Sequence, residues 1–158
     1  IGNEEAFLSK EKIILQRIGV GLVGVLDTEQ FYCFNSVNMI LPKQHEISFL
    51  PKEHKISLKY ILAILNSKLI NVYYRRVFEQ NSGLTVNVTQ GYLEKIPIKV
   101  DYKHQKNVEI ITEKILDAKK QNKLENVEVQ KLEKKLDNEI YKIYGLTEDE
   151  QKFIEVDE

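Results

Sequence analysis

The side chains here whose types and spacing could do chemistry are cations and amides rather than nucleophiles. Between Lys43 and Lys99 stand 9 Lys+Arg against 4 Asp+Glu, interleaved with Gln44, His45, Asn81, Asn87, Gln90 and Tyr92. Lysine and arginine neutralise phosphates, while Asn, Gln and Arg can make paired hydrogen bonds to base edges. The chemistry these residues could do is therefore binding of a polyanion such as a nucleic acid, the alternative being an ordinary polar surface. The candidate contacts are Arg17, Lys43, Gln44, His45, Arg75, Arg76, Asn81, Thr85, Asn87, Gln90, Tyr92 and Lys95. The arginines and lysines are expected mostly on phosphates, with Gln44, Asn87 and Gln90 as base readers. The competing reading of each is an exposed residue that touches no DNA.

Catalytic constellations are missing. The sequence has no phosphate-binding Walker loop, no HExxH, no GxSxG, no CxxC and no methyltransferase signature. Asp101 and Glu94 lie near lysines, but form no nuclease arrangement. The three histidines, at 45, 54 and 104, make no ligand-spaced pair. The lone Cys33 excludes a disulfide framework and a Cys-rich zinc site; between aromatics in FYCFN it reads as a small buried apolar residue. Glu109, Glu113 and Asp117 fall at helix spacing and read as a solvated face. No catalytic, metal or cofactor site is expected within these residues.

The 158 residues are 42% hydrophobic and 30% charged, the composition of a soluble globular protein of one domain with or without an appendage. The net charge of -1 conceals an asymmetry: residues 1–100 sum to +3 and residues 101–158 to -4, returning the whole-chain 23 Lys+Arg and 24 Asp+Glu. A polyanion would dock on the first part. No apolar run is long enough to span a bilayer, and a cytoplasmic location is expected. The chain starts at Ile1 and its one Met is Met39, so a piece of a longer protein is expected.

The elements that must position those side chains follow from periodicity. Ser57–Glu79 is the longest apolar-periodic run, with Leu58, Ile61, Leu62, Leu65, Leu69, Val72 and Tyr73 on one helix face. It predicts one helix of roughly 33 Å, capped by Ser57 and ended by Asn81-Ser82-Gly83. Before it, KIILQRIG, VGLVGVLD, QFYCFN and VNMIL predict three or four strands in a meander, with Gly19, Gly21 and Gly24 at bulges or bends. Residues 42–56 predict a loop. LTVNVTQ predicts a short strand, Gln90-Gly91 a turn, and YLEKIPIKV a helix-to-strand passage. Val108, Ile111, Ile115 and Ala118, then Val129, Leu132, Leu136, Ile140 and Ile143, predict two helical stripes around the break KKQNKLEN. Gly145 ends the second, and Thr147 with Glu150 predicts a capping box on a final helix. The fold class is thus α+β (mixed α/β): a small twisted, mainly antiparallel sheet packed on a long helix, followed by a helical C-terminal tail. Residues 1–102 are expected as one domain and 103–158 as the helical tail, packed on it or on a partner domain.

Three blocks in order, YILAILNSKLINVYYRR, NSGLTVNVTQGYLEKIPI and LDNEIYKIYGLTEDEQKFIE, resemble the TaqI-like C-terminal specificity domain, with KIILQRIG…FYCFNSVNMI similar to its first strands. That is the target-recognition domain of adenine-methylating type II restriction-modification enzymes, similar also to recognition domains of type I specificity subunits. The resemblance, from about Glu11 to Glu155, implies reading of a short DNA sequence in the major groove. It implies that residues 1–102 are the DNA target-recognition domain and that their partners are double-stranded DNA and a methyltransferase or nuclease domain of the same chain; the methyltransferase domain, expected upstream, would bind S-adenosylmethionine and carry an Asn-Pro-Pro-Tyr-type motif. That motif is not in this sequence, so no catalytic residue carries over. The family's base-reading loops vary with the target, so they do not carry over either. The function expected is a non-catalytic specificity domain that docks a catalytic domain on its site, where the adenine is flipped out of the stack. The alternative is a protein-interaction module that uses the helical tail to assemble a restriction-modification complex.

Overall fold

A computed structural model describes residues 4–42, 55–78, 85–121 and 127–156. The fold is α+β. A short helix α1 (Glu4–Phe7) leads into β1 (Lys12–Gln16), β2 (Ile18–Gly19), β3 (Gly24–Asp27) and β4 (Val37–Ile40). Then come α2 (Leu58–Asn66), α3 (Lys68–Phe78), β5 (Val86–Asn87), α4 (Gln90–Leu93), α5 (Tyr102–Lys120), α6 (Val127–Tyr144) and α7 (Glu148–Val156). The predicted C-terminal cap at Gly83 and the KKQNKLEN break fall on or partly on residues outside those described.

The strands do not form a meander. β1 is central and pairs antiparallel with β3 on one side and β4 on the other, giving the order β3-β1-β4. QFYCFN is not a strand but the crossing that carries the chain past the end of β1 to its far edge. Its backbone is committed elsewhere: the Glu29 and Phe31 amides donate to the Asp27 carboxylate at 2.8 and 3.0 Å, and Gln30 takes a left-handed φ of 59°. Cys33 is accordingly half-buried rather than buried. A second, two-stranded ribbon pairs β2 with β5, Ile18 opposite Asn87 and Gly19 opposite Val86.

The predicted long helix is two helices. Ser57 caps α2 as expected, its Oγ accepting from the Tyr60 amide at 3.1 Å. The apolar period runs on through Ser67, yet there the backbone turns extended (ψ 151°). Ser67 Oγ donates to the Ile64 carbonyl at 2.7 Å and accepts from the Ile70 amide at 3.3 Å. The Asp137 carboxylate, from α6, accepts from the Lys68 amide at 2.9 Å. The serine hydroxyl thus replaces main-chain bonds across the break, and a carboxylate takes the first amide of α3.

The break has a geometric consequence. Asn66 and Asn71 would stand about 140° apart on a continuous helix. Here both reach the β2–β3 connection. The Gly24 amide donates to Asn66 Oδ1 at 2.8 Å, and Asn66 Nδ2 donates to the Gly24 carbonyl at 2.9 Å. The Leu22 amide donates to Asn71 Oδ1 at 2.6 Å, which seats the Leu22 side chain in the core. A side chain at Gly21 would collide with Asn71 Oδ1, so glycine is what allows the approach.

The molecule is layered, with α2 in the middle. α2 contacts β1 and β3 on one side and α5 on the other, which explains why LKYILAIL is apolar nearly all round. α5 and α6 pack antiparallel, Lys119 pairing with Glu133 at one end and Asn107 Nδ2 donating to Glu139 at the other. Val108, Ile111 and Ile115 share one core with Leu136, Ile140, Ile143, Leu15 and Tyr60, so the tail packs on the sheet unit. The Glu109–Asp117 face is not wholly solvated. Glu109 accepts from Ser57 Oγ, and Glu113 pairs with Lys59 at 2.7 Å, both across to the start of α2.

Residues 97–100 form no strand, because their main chain is held by tyrosines. Tyr60 Oη donates to the Lys99 carbonyl at 2.8 Å, and Tyr144 Oη donates to the Pro97 carbonyl at 2.6 Å. Gln90-Gly91 is no turn but the start of α4, capped by Thr89. Gly145 ends α6 at a φ of 74°, and the Thr147–Glu150 box opens α7, the Thr147 amide donating to Glu150 at 2.7 Å.

Two predictions follow from the break in the helix. Asn71→Ala, which leaves the buried Leu22 amide unpaired, is expected to cost about 2–3 kcal/mol in urea unfolding, against about 1 kcal/mol for Asn66→Ala at a more exposed site. The second concerns Asp137. Burial pushes its carboxyl up to about 6, opposed by the Lys68 amide it accepts from and reinforced by the Glu155 carboxylate. The folded state then binds the proton more tightly than the unfolded chain, so this group's contribution to stability is greatest near pH 4 and is lost as pH rises through about 6. Asp137→Asn keeps the oxygen acceptor without the charge. The stability of wild type minus that of Asp137→Asn, measured by urea unfolding against pH, is expected to fall from pH 4 to pH 7; a flat difference would refute it.

Candidate nucleic-acid interface

The elements that gather the candidate contacts are β1's end, the β2–β5 ribbon and the turn before β4. Arg17 is the hub. Its amide donates to the Ser36 carbonyl at 3.2 Å, and its carbonyl accepts from the Val88 amide at 2.6 Å. Its guanidinium Nη1 donates to the Asn35 carbonyl at 3.0 Å. Asn38 Nδ2 donates to the Val88 carbonyl at 2.8 Å, tying β4's edge to β5. Arg17, Asn35, Ser36, Asn38, Asn87 and Val88 are thereby one locality, though they span most of the N-terminal hundred residues.

The predicted residues divide. Thr85 and Asn87 are exposed on the ribbon, and the Asn87 carbonyl is held by Tyr74 Oη at 3.0 Å. That bond fixes the main chain beneath the exposed Asn87. Gln90 and Lys95 are exposed around α4, where Gln90 Nε2 donates to Glu94 at 2.9 Å. Tyr92 stacks on Phe78, ring centroids 4.8 Å apart and 15° from parallel, and meets Tyr74 edge-on; one face of its ring is occupied by the core. Arg76 lies on another side, its guanidinium 4.7 Å over the Phe153 ring of α7. Arg75 is half-buried one residue before it. The structure thus brings Arg17 to the strand of Asn87, beside Val88, leaves Thr85, Asn87, Gln90 and Lys95 exposed along that stretch of chain with Tyr92 half-buried, and turns Arg76 toward the tail. Lys43, Gln44, His45 and Asn81 lie outside the described residues.

Phe34, Asn35, Ser36 and Asn38 stand at this edge but are not among the predicted contacts. QFYCFN reads as a strand, Asn35-Ser36 as the turn after it and VNMIL as the next strand; the turn and β4 are present, whereas QFYCFN is the crossing, and a strand with no alternation of polar residues would have had to be buried on both faces.

At the opposite end of the β1–β3 ladder from this edge sits a buried ion pair. Lys12 Nζ lies 2.5 Å from Asp27, both side chains at most 1% exposed, and also donates to the Phe7 carbonyl at 3.0 Å. Burial alone would raise the Asp27 carboxyl, but the Lys12 ammonium and the Glu29 and Phe31 amides together hold it below the ordinary value. The pair ties α1, β1, β3 and the first residues of the crossing into one unit.

Asp101 and Glu94 each have a local partner. Asp101 caps α5, accepting from the Lys103 and His104 amides at 3.0 and 3.2 Å, with His104 Nδ1 at 2.8 Å from its other oxygen. Glu94 accepts from Gln90. Among the described residues no three His, Cys, Asp or Glu side chains come together as a metal site, and no helix is long and apolar enough to cross a membrane.

Replacing Asp27 with Asn leaves a buried, unpaired ammonium and is expected to cost about 3–5 kcal/mol. Hydrogen exchange should show the loss first at the Glu29 and Phe31 amides; unchanged protection there would contradict the role given to Asp27.

No curated protein matches the sequence. The sequence profile of one family, described as the TaqI-like C-terminal specificity domain, matches residues 1–98, from α1 through the tyrosine-held segment and short of α5. The ribbon, the crossing and the Asn66–Asn71 break all lie inside that match, which covers more than half of the 158 residues; the chain belongs to the TaqI-like C-terminal specificity domain family.

Proposed function

We propose that this chain is a sequence-specific DNA recognition domain that positions a separate catalytic domain, adenine-methylating or nucleolytic, on its target site. The observation that supports the reading is a specificity-domain fold in which the Arg17 carbonyl accepts from the Val88 amide, next to Asn87 on a strand that pairs Ile18 and Gly19 and leaves Thr85 and Asn87 exposed. Arginine there suits phosphate, and an exposed asparagine on an anchored strand suits a base edge. Lys95 and Gln90 extend the same surface around α4. S-adenosylmethionine would be held by the catalytic domain rather than by these residues. The interaction-module reading is less favoured, since the stripes Val108–Ile115 and Leu136–Ile143 are spent on the chain's own core.

Selection of bound duplexes from a randomised library, at roughly 50 and 200 mM salt, tests this, because phosphate-only binding collapses over that range. A consensus that survives the higher salt is expected. Asn87→Ala should then cost about 1–3 kcal/mol and relax one position of the consensus, whereas Arg17→Ala should weaken all sequences alike and lower the salt slope by about 1. Binding without any consensus, with or without the catalytic domain attached, would overturn the proposal.

A further inference from the structure

The crossing between β3 and β4 presents aromatic side chains to solvent: Phe31 is 58% exposed, Tyr32 66% and Phe34 90%. Such exposure on a mobile loop would mean little, but this backbone is pinned. Asp27 accepts from two of its amides, Gln30 Nε2 donates to the Leu8 carbonyl at 2.7 Å, and Tyr32 stacks on Phe7 with centroids 5.0 Å apart. At the far end the Val37 amide donates to the Phe34 carbonyl at 3.4 Å, while Arg17 holds the Asn35 and Ser36 carbonyls. Phe34 therefore opens a turn whose tip is Asn35-Ser36, held on both sides, and its ring stands outside the fold.

Resting on the DNA-recognition reading, we propose that Phe34 is a wedge: when the ribbon edge engages a duplex, its ring enters between two base pairs and stacks there. The chemistry around the ring identifies the partner. Next to it lie the Arg17 guanidinium, the exposed Asn35 amide and the exposed Ser36 hydroxyl. A cation and hydrogen-bonding groups flanking a bare aromatic face fit a polyanion with flat apolar surfaces, the combination by which apolar side chains enter base steps beside phosphate contacts. Rigidity suits the role, because a ring that must part stacked bases cannot yield itself. The turn is also bonded through Arg17 to the strand that carries Asn87, so wedge and reader share one frame.

The test uses this chain, as wild type, Phe34→Ala and Phe34→Trp, on the consensus duplex from the selection, with 2-aminopurine placed at each step in turn. Wild type should raise 2-aminopurine emission at one step, as a base loses its stacking neighbour. Phe34→Ala should bind roughly tenfold more weakly with no such rise, and Phe34→Trp should restore most of both. Because the ring is exposed, neither variant should shift the unfolding midpoint. Equal affinity and equal emission for wild type and Phe34→Ala would overturn the wedge. So would weaker binding where wild type itself gives no rise, or a defect confined to self-association or to docking of the catalytic domain. If the selection returns no consensus, base readout has failed on its own, and the same comparison on the unselected pool still decides the wedge.

Discussion

The structure depends on a helix that stops where its apolar pattern says it should continue. Ser67 turns the backbone to extended geometry, and the next residue's amide is taken by Asp137 from α6. That single redirection lets two asparagines, five positions apart, grip the same β connection, so the sheet is clamped to the helices by side-chain amides that imitate main-chain pairing. A continuous helix would offer the sheet the apolar stripe alone. Apolar contact resists separation but specifies position weakly; the amide pairs add direction.

The clamp and the candidate interface share mechanical support. β1 ends at Gln16, and Arg17 passes the chain from the three-stranded sheet to the β2–β5 ribbon while bonding both the pre-β4 turn and Val88. The Lys12–Asp27 pair lies at the opposite end of the β1–β3 ladder and fixes where the aromatic crossing begins. A buried ion pair contributes little net stability over an apolar pair of similar shape, yet it tolerates few alternative geometries. Its value here is the conformation of the crossing, which no apolar contact would set so narrowly.

The tail is part of the core rather than an appendage laid on it. α2, with its apolar surface nearly all round, needs cover on the side away from the sheet, and α5 supplies it. Tyr60 and Tyr144, one from α2 and one from α6, then strap the 97–99 segment between the two parts. Asp137 and Glu155 extend the same logic, since both reach α3 from the tail, one to its first amide and one to the Lys68 ammonium. The acidic balance of residues 101–158 is in this way partly structural.

Read alone, the sequence determined the elements whose signals are local. Ser57, Thr147 with Glu150, and Gly145 mark helix ends by their own side chains or backbone freedom, and the stripes of α5 and α6 follow from a period that no distant contact alters. The ordered blocks that resemble a specificity domain were legible too, and that family's profile matches residues 1–98. What only the tertiary structure decided was everything fixed by residues far apart. The break at Ser67 needs Asp137, 70 positions on in the numbering, and the crossing needs Lys12 as the partner of Asp27. Strand order followed suit: β4 pairs β1 because the crossing is held past it, not because of any period in VNMI. Arg17 meets Asn87's strand, and Arg76 meets Phe153, through pairings with no trace in spacing. Local propensity is written in neighbours, but hydrogen-bonded side-chain contacts between distant segments are set by the packing that brings them together.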